Sequence, residues 1–409
     1  MTNPKLFVES TRLLSARGST RATRYAGTNK IVTRAGKTHI AWLDTISDTM
    51  VETYDHAAGS WSEAVKIGSG YDNHGGPALT CDSQGYLHIF FGPHGQSPFQ
   101  HHRSVAPNDS TQWRALSPVG TNATYPSVVC DDQDTLHLTY RGGERPRQPF
   151  ALLYQQKKKG GGWSVPVVLA KAPEDWNGYT HYHNALTIAK DNTLHIAYNI
   201  YYNGRAQHAG HLTSRDRGQI WTLAGGSPLT LPVTVESDAF FQQTDAALKV
   251  NSIVCDSQGH PWISLNLIGS DAALRIYHHD GLTWRGLTPD RLVPAEADAG
   301  EMNSQGILTI NEHDDIFLIT CVRDGVVVLH SNCQGKQFQL LPIFPPDDAL
   351  PHVGLTLERP TGHHMVDVPF ALFSTGEKGP DCFGKGICHQ VRAVQLSLQS
   401  AGELQIRDR

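Results

Sequence analysis

The apolar positions of this chain fall in short runs separated by polar turns, and the runs repeat. Strand-like runs follow a turn containing Asp or Gly at Thr38–Trp42, Leu87–Phe91, Leu136–Tyr140, Leu194–Tyr198, Pro261–Leu265 and Ile316–Thr320. Each reads as the second strand of a unit that ends in an aromatic residue. The closing aromatics are Trp61, Trp113, Trp163, Trp221, Trp284 and Phe338. Their spacing of about 50 to 63 residues is the period of a four-stranded propeller blade with variable loops. Six blades are thus predicted. A seventh is predicted from Val353–Leu357, Val366–Leu372 and Val391–Leu396, with Lys5–Glu9 as its outer strand. Pairing the two ends of the chain closes the ring without an exposed central edge. The expected fold class is all-β, a seven-bladed β-propeller forming one domain over residues 1–409.

Composition agrees with this. The chain has 409 residues, 38 glycines, 23 prolines and only four methionines, and no long helical periodicity interrupts the turn-rich pattern. Net charge is −5, which gives no general attraction to nucleic acid or to an anionic membrane. No apolar run is long enough to span a bilayer, and Met1–Lys5 does not read as a secretory signal. Seven cysteines do not form a disulfide scaffold; Cys81, Cys130 and Cys255, each before an Asp at a strand end, read as small core residues. Ser214-Arg215-Asp216-Arg217-Gly218-Gln219-Ile220-Trp221 fits the S-x-D-x-G-x-x-W turn, an Asp box, which is assigned to folding rather than chemistry. His88, His137 and His195 sit inside second strands and read as packing or interblade hydrogen-bonding residues.

The candidate chemistry is asymmetric around the ring. His74 precedes the hairpin formed by Ala78–Cys81 and Leu87–Phe91, and His94 follows it, so the two should stand side by side on one rim. The equivalent places in the next blades hold Tyr125 and Arg141, then Tyr182 or His183 with Asn184. Blades five and six carry Asn251-Ser252 and Asn303-Ser304 there, without such titratable groups. A purely structural repeat would not require this concentration in three blades.

The segment Asp72-Asn73-His74-Gly75-Gly76-Pro77, followed by Gly92-Pro93-His94, resembles the ulvan lyases of polysaccharide lyase families 24 and 25. The resemblance implies a seven-bladed propeller that cleaves 4-linked glucuronate or iduronate by β-elimination, giving a 4,5-unsaturated uronate. It implies His74 and Tyr125 as the acid/base pair and Arg141 as the residue that neutralises the substrate carboxylate. His94 and Tyr182 become supporting substrate-binding residues, with Asn73 and His183 beside them. The residue types suit the reaction. A neutral His is a competent base near neutral pH, a Tyr hydroxyl can give a proton to the departing oxygen, and a guanidinium stabilises enolate-like charge. The implied partner is an acidic sulfated polysaccharide, ulvan, with neither nucleic acid nor membrane involved. A monomeric enzyme in a secreted or periplasmic setting is expected.

Cys382-Phe383-Gly384-Lys385-Gly386-Ile387-Cys388-His389 is a second cluster. Two Cys and one His in a Gly-rich loop suit a structural Zn²⁺ completed by a distant ligand, for which His208 or His211 is the expected source. The similar lyases carry a structural zinc. The alternatives are a Cys382–Cys388 disulfide or free thiols. Rival functions are a sialidase, which needs an arginine triad not seen here, a propeller enzyme releasing terminal rhamnose from rhamnosyl-glucuronate, and a non-catalytic carbohydrate-binding propeller.

Overall fold

The computed structural model describes residues 4–143, 150–172, 183–202, 205–237, 239–243, 247–268, 273–289, 293, 305–322, 325–344, 352–364, 366–379, 381, 383–384 and 386–399. Among them there is no α-helix. Antiparallel blades follow one another along the chain. Blade two is Ala78–Cys81, Leu87–Phe91, Gln100–Ser104 and Trp113–Ala115. Blade three is Thr124–Cys130, Leu136–Gly142, Ala151–Lys157 and Val167–Lys171, and blade four is Asn184–Ile188, Leu194–Tyr202, Arg205–Ser214 and Phe240–Gln243. Blade five opens with Ala247–Cys255 and blade six with Ile307–Ile310.

A nine-stranded sheet joins the remaining two blades. Blade seven is built from His352–Leu357, Ala371–Gly376 and His389–Gln399, and its fourth strand is the N-terminal Lys5–Gly18. The latter runs antiparallel to His389–Gln399, from Lys5 opposite Gln399 to Gly18 opposite His389, and Gly18 also pairs with Asp44 of blade one. The seven-bladed propeller is therefore closed by its own N-terminal strand.

The inner strands are apolar on both faces because each blade is covered on both sides by its neighbours. Ala78–Cys81 and Leu87–Phe91 are buried throughout. Between blades three and four, Val129, Leu152 and Leu169 meet Leu186, Ile196 and Trp221. The closing aromatics fasten neighbouring blades. Trp163 meets Phe90 of blade two, Trp221 meets Tyr154 of blade three, and Trp284 meets His211 of blade four, all edge-on. Asp216 of the Asp box accepts from the Gln219 and Ile220 amides and the Ser214 hydroxyl, while Gly218 adopts φ 85°. The second-strand histidines bond to the third strand of their own blade: His88 to His101, His137 to Tyr154 and His195 to His211.

The seventh blade departs from expectation. Its second strand is Ala371–Gly376, not Val366–Leu372. The preceding segment is drawn across the far end of the channel instead. Thr361 accepts the Cys130 amide at 2.9 Å, and the Glu358 carboxylate accepts the Thr33 and Phe370 amides. Pro369, which lacks an amide, helps keep the segment out of the ladder. This crossing covers one end of the channel and leaves the rim bearing His74 as the other.

Candidate active site

The blade-two hairpin places the first pair. Ala78 lies opposite Phe90, so His74 and His94 emerge from the same end, and their rings stack at 3.7 Å with an 8° interplanar angle. Asp72 binds both. Its Oδ1 accepts from the His74 amide at 2.7 Å and faces His74 Nδ1 at 3.1 Å, and Oδ2 faces His94 Nδ1 at 2.7 Å. A carboxylate only accepts, so both Nδ1 atoms carry protons and His74 Nε2 presents its lone pair. Burial would raise the Asp72 carboxyl, but the hydrogen bonds from His74 and His94 outweigh it and hold the group below the usual range. Burial lowers His74 to about 4; the Asp72 hydrogen bond opposes that shift and the Arg21 charge adds to it. His74 is thus neutral near pH 7.

The next participants come from the segment between Lys5–Gly18 and the first strand of blade one, Ile31–Arg34. Arg21 Nη1 hydrogen-bonds His74 Nε2 and donates to the Tyr25 hydroxyl at 2.5 Å. The Tyr25 ring lies 5.7 Å from His74 and 4.6 Å from Tyr125. Burial, then the neighbouring Tyr125, raises the Tyr25 hydroxyl well above its ordinary value, so it holds its proton. Tyr25 and Tyr125 both adopt left-handed backbone, φ 68° and 59°. Such strain is costly for a bulky residue and persists only where surrounding packing enforces it. The Asn184 side chain does so at Tyr125, donating to its carbonyl at 3.2 Å.

Tyr125 is 6% exposed and its ring centroid is 6.5 Å from that of His74. Arg141 pairs with Thr124 in the ladder and is 1% exposed. Its guanidinium is held between the rings of Tyr125, at 4.8 Å, and Phe150, at 4.5 Å. His183 lies 5.9 Å from Tyr125 on the blade-four side, and burial, then the charges of Lys249 and Arg141, depresses its pKa well below the ordinary value. The structure thus brings together His74, His94, Tyr125, Arg141 and His183. Tyr182 lies outside the described residues. The Asn73 side chain is buried; its amide donates to Thr20 at 2.9 Å and to the Asp381 carbonyl, tying blade two to the connecting segment and to the blade-seven loop.

Sequence reasoning missed Arg21, Tyr25 and Lys249. Lys249, on the inner strand of blade five, is lowered by burial and then by the charges of Arg24 and Arg21. Arg21, Arg24, Arg141 and Lys249 make the rim cationic in a chain of net charge −5. Such a field draws in a polyanion.

The expected metal ligands divide. His389 is buried and donates from Nε2 to the Glu377 carbonyl at 2.8 Å, the bond that orients a histidine for ligation through Nδ1. Cys388 is exposed beside it, and Cys382 lies outside the described residues. His208 does not join them. It sits on the third strand of blade four against Phe240, with blades five and six intervening. His211 of the same strand is bound to His195. Cys321, on the second strand of blade six, and His389 both lie within the reach of the Arg24 charge.

Comparison with known proteins gives a consistent setting. Residues 37–287 match the model for a BNR repeat-containing family member. An ulvan lyase of Alteromonas sp. (strain LOR) is 26% identical over 350 residues, covering 72% of this chain and 70% of that protein. Ulvan Lyase-PL25 of Pseudoalteromonas sp. (strain PLSV) is 25% identical over 362 residues, covering 74% and 71%. Among solved structures, a PL25 ulvan lyase bound to -[GlcA(1-4)Rha3S]- superposes with a TM-score of 0.76 at 19% identity, over 96% of this chain and 98% of that one. Polysaccharide lyase Uly1 follows with a TM-score of 0.62 at 13% identity, over 96% and 100%. These superpositions share the fold.

Proposed function

The chain belongs to the BNR repeat-containing family, and from that premise we propose that it is a polysaccharide lyase cleaving ulvan by β-elimination at 4-linked uronic acids. The observation that carries this reading is the Asp72-oriented His74, whose Nε2 lone pair faces Arg21, beside the protonated Tyr25 and the Tyr125 ring on a cationic rim. Relatives at about a quarter identity over most of the chain are ulvan lyases, which supports the substrate.

In the proposed reaction His74 Nε2 removes the C5 proton of the uronate. The electron pair left on C5 delocalises into the carboxylate and then forms the C4–C5 double bond as the C4–oxygen bond breaks. Tyr125 gives its proton to that oxygen. The products are a 4,5-unsaturated uronate and a free hydroxyl on the departing sugar. Arg21 hydrogen-bonds His74 Nε2. The incoming carboxylate draws it away, exposing the base and acquiring a guanidinium partner in one movement. Arg141, behind the Tyr125 ring, adds its charge to the same neutralisation and supports the hydroxyl's geometry. His94, through Asp72, keeps the His74 tautomer fixed. His183 belongs to the blade-four side of the sugar.

The test is ultraviolet absorbance of the conjugated double bond during incubation with ulvan. Tyr125→Phe should fold normally and lose turnover by about 10²–10⁴-fold, the scale of general acid–base contributions. His137→Ala, within a second strand, should cost stability with turnover largely retained. Wild-type rates in both Tyr125→Phe and His74→Ala would refute the assignment.

We also propose a structural Zn²⁺ held by Cys382, Cys388 and His389, with Cys321 in place of His208. Bound there, the ion would tie blade seven to blade six and contribute folding energy rather than chemistry. Metal analysis of protein purified without chelator should find one zinc per chain, lost in Cys388→Ser; its absence would sink this proposal. Action outside the cytoplasm fits a polymeric substrate, and a closed ring fits a monomer. Fractionation of the source cells and sedimentation of the purified protein test these two points.

A further inference from the structure

A second cationic feature lies far from the site just described. The turn between the first and second strands of blade two and the third-to-fourth-strand turn of blade three both lie at the end opposite His74. Between them runs a groove of about 290 Å³. Arg103, Arg114, Lys157, Lys158 and Lys159 line it, against the carboxylates of Asp82 and Asp134.

Its charges are arranged at a cost. Arg103 and Arg114 lie directly opposite one another across two antiparallel strands, a placement that destabilises a sheet when both residues are cations. Three consecutive lysines follow on the facing blade. Among the described residues only Lys159 of the five has a carboxylate partner, Asp134 at 2.6 Å. Asp134 is itself occupied by the amide and hydroxyl of Ser83, each at 2.7 Å. The Arg103 guanidinium is braced 4.1 Å over the Tyr86 ring, so one of the repelling groups is held in place rather than left to swing away. Like charge gathered on two neighbouring blades, five cations against two carboxylates, is what a polyanion would stabilise.

We propose that this groove is a second, non-catalytic binding site for an anionic polysaccharide. Clustered cations take its carboxylates or sulfates. The aspartates at the floor accept from sugar hydroxyls, and would repel the closely spaced phosphates of a nucleic acid. Identifying the polymer as the enzyme's own substrate rests on the lyase reading above; binding of a polyanion in the groove does not. Held there, a long chain would remain attached while the opposite rim releases a cut end, raising its local concentration.

Electrophoresis through native gels containing ulvan, neutral dextran or duplex DNA tests the site. Wild type and Tyr125→Phe should both be retarded by ulvan, less so as salt is added, and not by dextran. The double variant Arg114→Gln/Lys158→Gln should unfold at the wild-type temperature or above it, since it relieves the cross-strand repulsion, and should keep its turnover of short oligosaccharides. Its dissociation constant for the polymer should weaken by about tenfold, the scale expected from removing two anion contacts. Equal retardation of wild type and double variant overturns the site. Retardation by DNA as strong as that by ulvan overturns the polysaccharide assignment in favour of a nucleic-acid surface. Retardation by ulvan that the double variant loses, in a protein that produces no unsaturated uronate, would discard the lyase reading and keep the groove.

Discussion

Asp72 is the residue on which the proposed chemistry turns, since it fixes the proton positions on two stacked imidazoles. The groups facing His74 are Asp72 and His94 on its own blade, Arg21 and Tyr25 on the connecting segment, and Tyr125 of blade three. With its pKa lowered to about 4, His74 remains neutral well below the pH at which an ordinary histidine charges. The acid limb of kcat/KM should therefore fall toward pH 4 rather than near 6.5, and a pH–rate profile measures it. Asp72→Asn should lower kcat by about 10²–10⁴-fold by freeing the tautomer. Because the carboxylate raises the His74 pKa against burial, its loss should also move the residual acid limb to lower pH; an upward shift would contradict the tautomer assignment. The stability sign is the same. A histidine with a depressed folded pKa stabilises the fold fully above its unfolded value, and that contribution is lost as pH falls from about 6.5 through about 4. His74 and His94 were legible in the sequence because a hairpin dictates which residues meet at its open end. Asp72 lay in the same motif, but its role depends on burial against both rings, which no spacing encodes.

At the scale of elements, the second strands of blades one to six are legible because their alternating apolar pattern recurs with the blade. The seventh is not: Val366–Leu372 has strand-like composition, but its first part belongs to the segment that Thr33 and Cys130 bind at Glu358 and Thr361 across the channel. The 19–30 segment was silent for a different reason. It is neither strand nor part of the repeat, yet it delivers Arg21 and Tyr25. Gly27 is what lets it enter. A Cβ there would stand 1.7 Å from the Asn184 carbonyl oxygen, and Ser127 and Arg359 both donate to the Gly27 carbonyl. Gly27→Ala must push the segment away from blades three and four. Activity should fall by about 10²-fold, since displacements near 1 Å cost that much at a reacting centre, with the unfolding temperature lowered as well. Unchanged kcat in a folded Gly27→Ala protein would show that the segment does not serve the reaction.

For the whole molecule, closure is the property that holds the rim together. Blades two to four can present His74, Tyr125 and His183 to one sugar only while the ring fixes their mutual angles. The seam is the sheet in which Lys5–Gly18 lies along His389–Gln399 and touches blade one at Asp44. Its apolar contribution includes Leu6, packed with Ile307, Phe317 and Leu396. Removing residues 1–18 would leave the outer edge of His389–Gln399 without its ladder partner, and an unpaired edge invites intermolecular pairing. The truncated protein should unfold at a lower temperature, form oligomers visible by size-exclusion chromatography, and lose turnover even though it keeps His74, Tyr125 and Arg141. A synthetic peptide of residues 5–18 added in trans should restore the monomer and part of the activity by refilling the same ladder. A truncated protein that stays monomeric at wild-type stability would mean that the interblade cores close the ring by themselves, and that the N-terminal strand is an ornament on a propeller already complete.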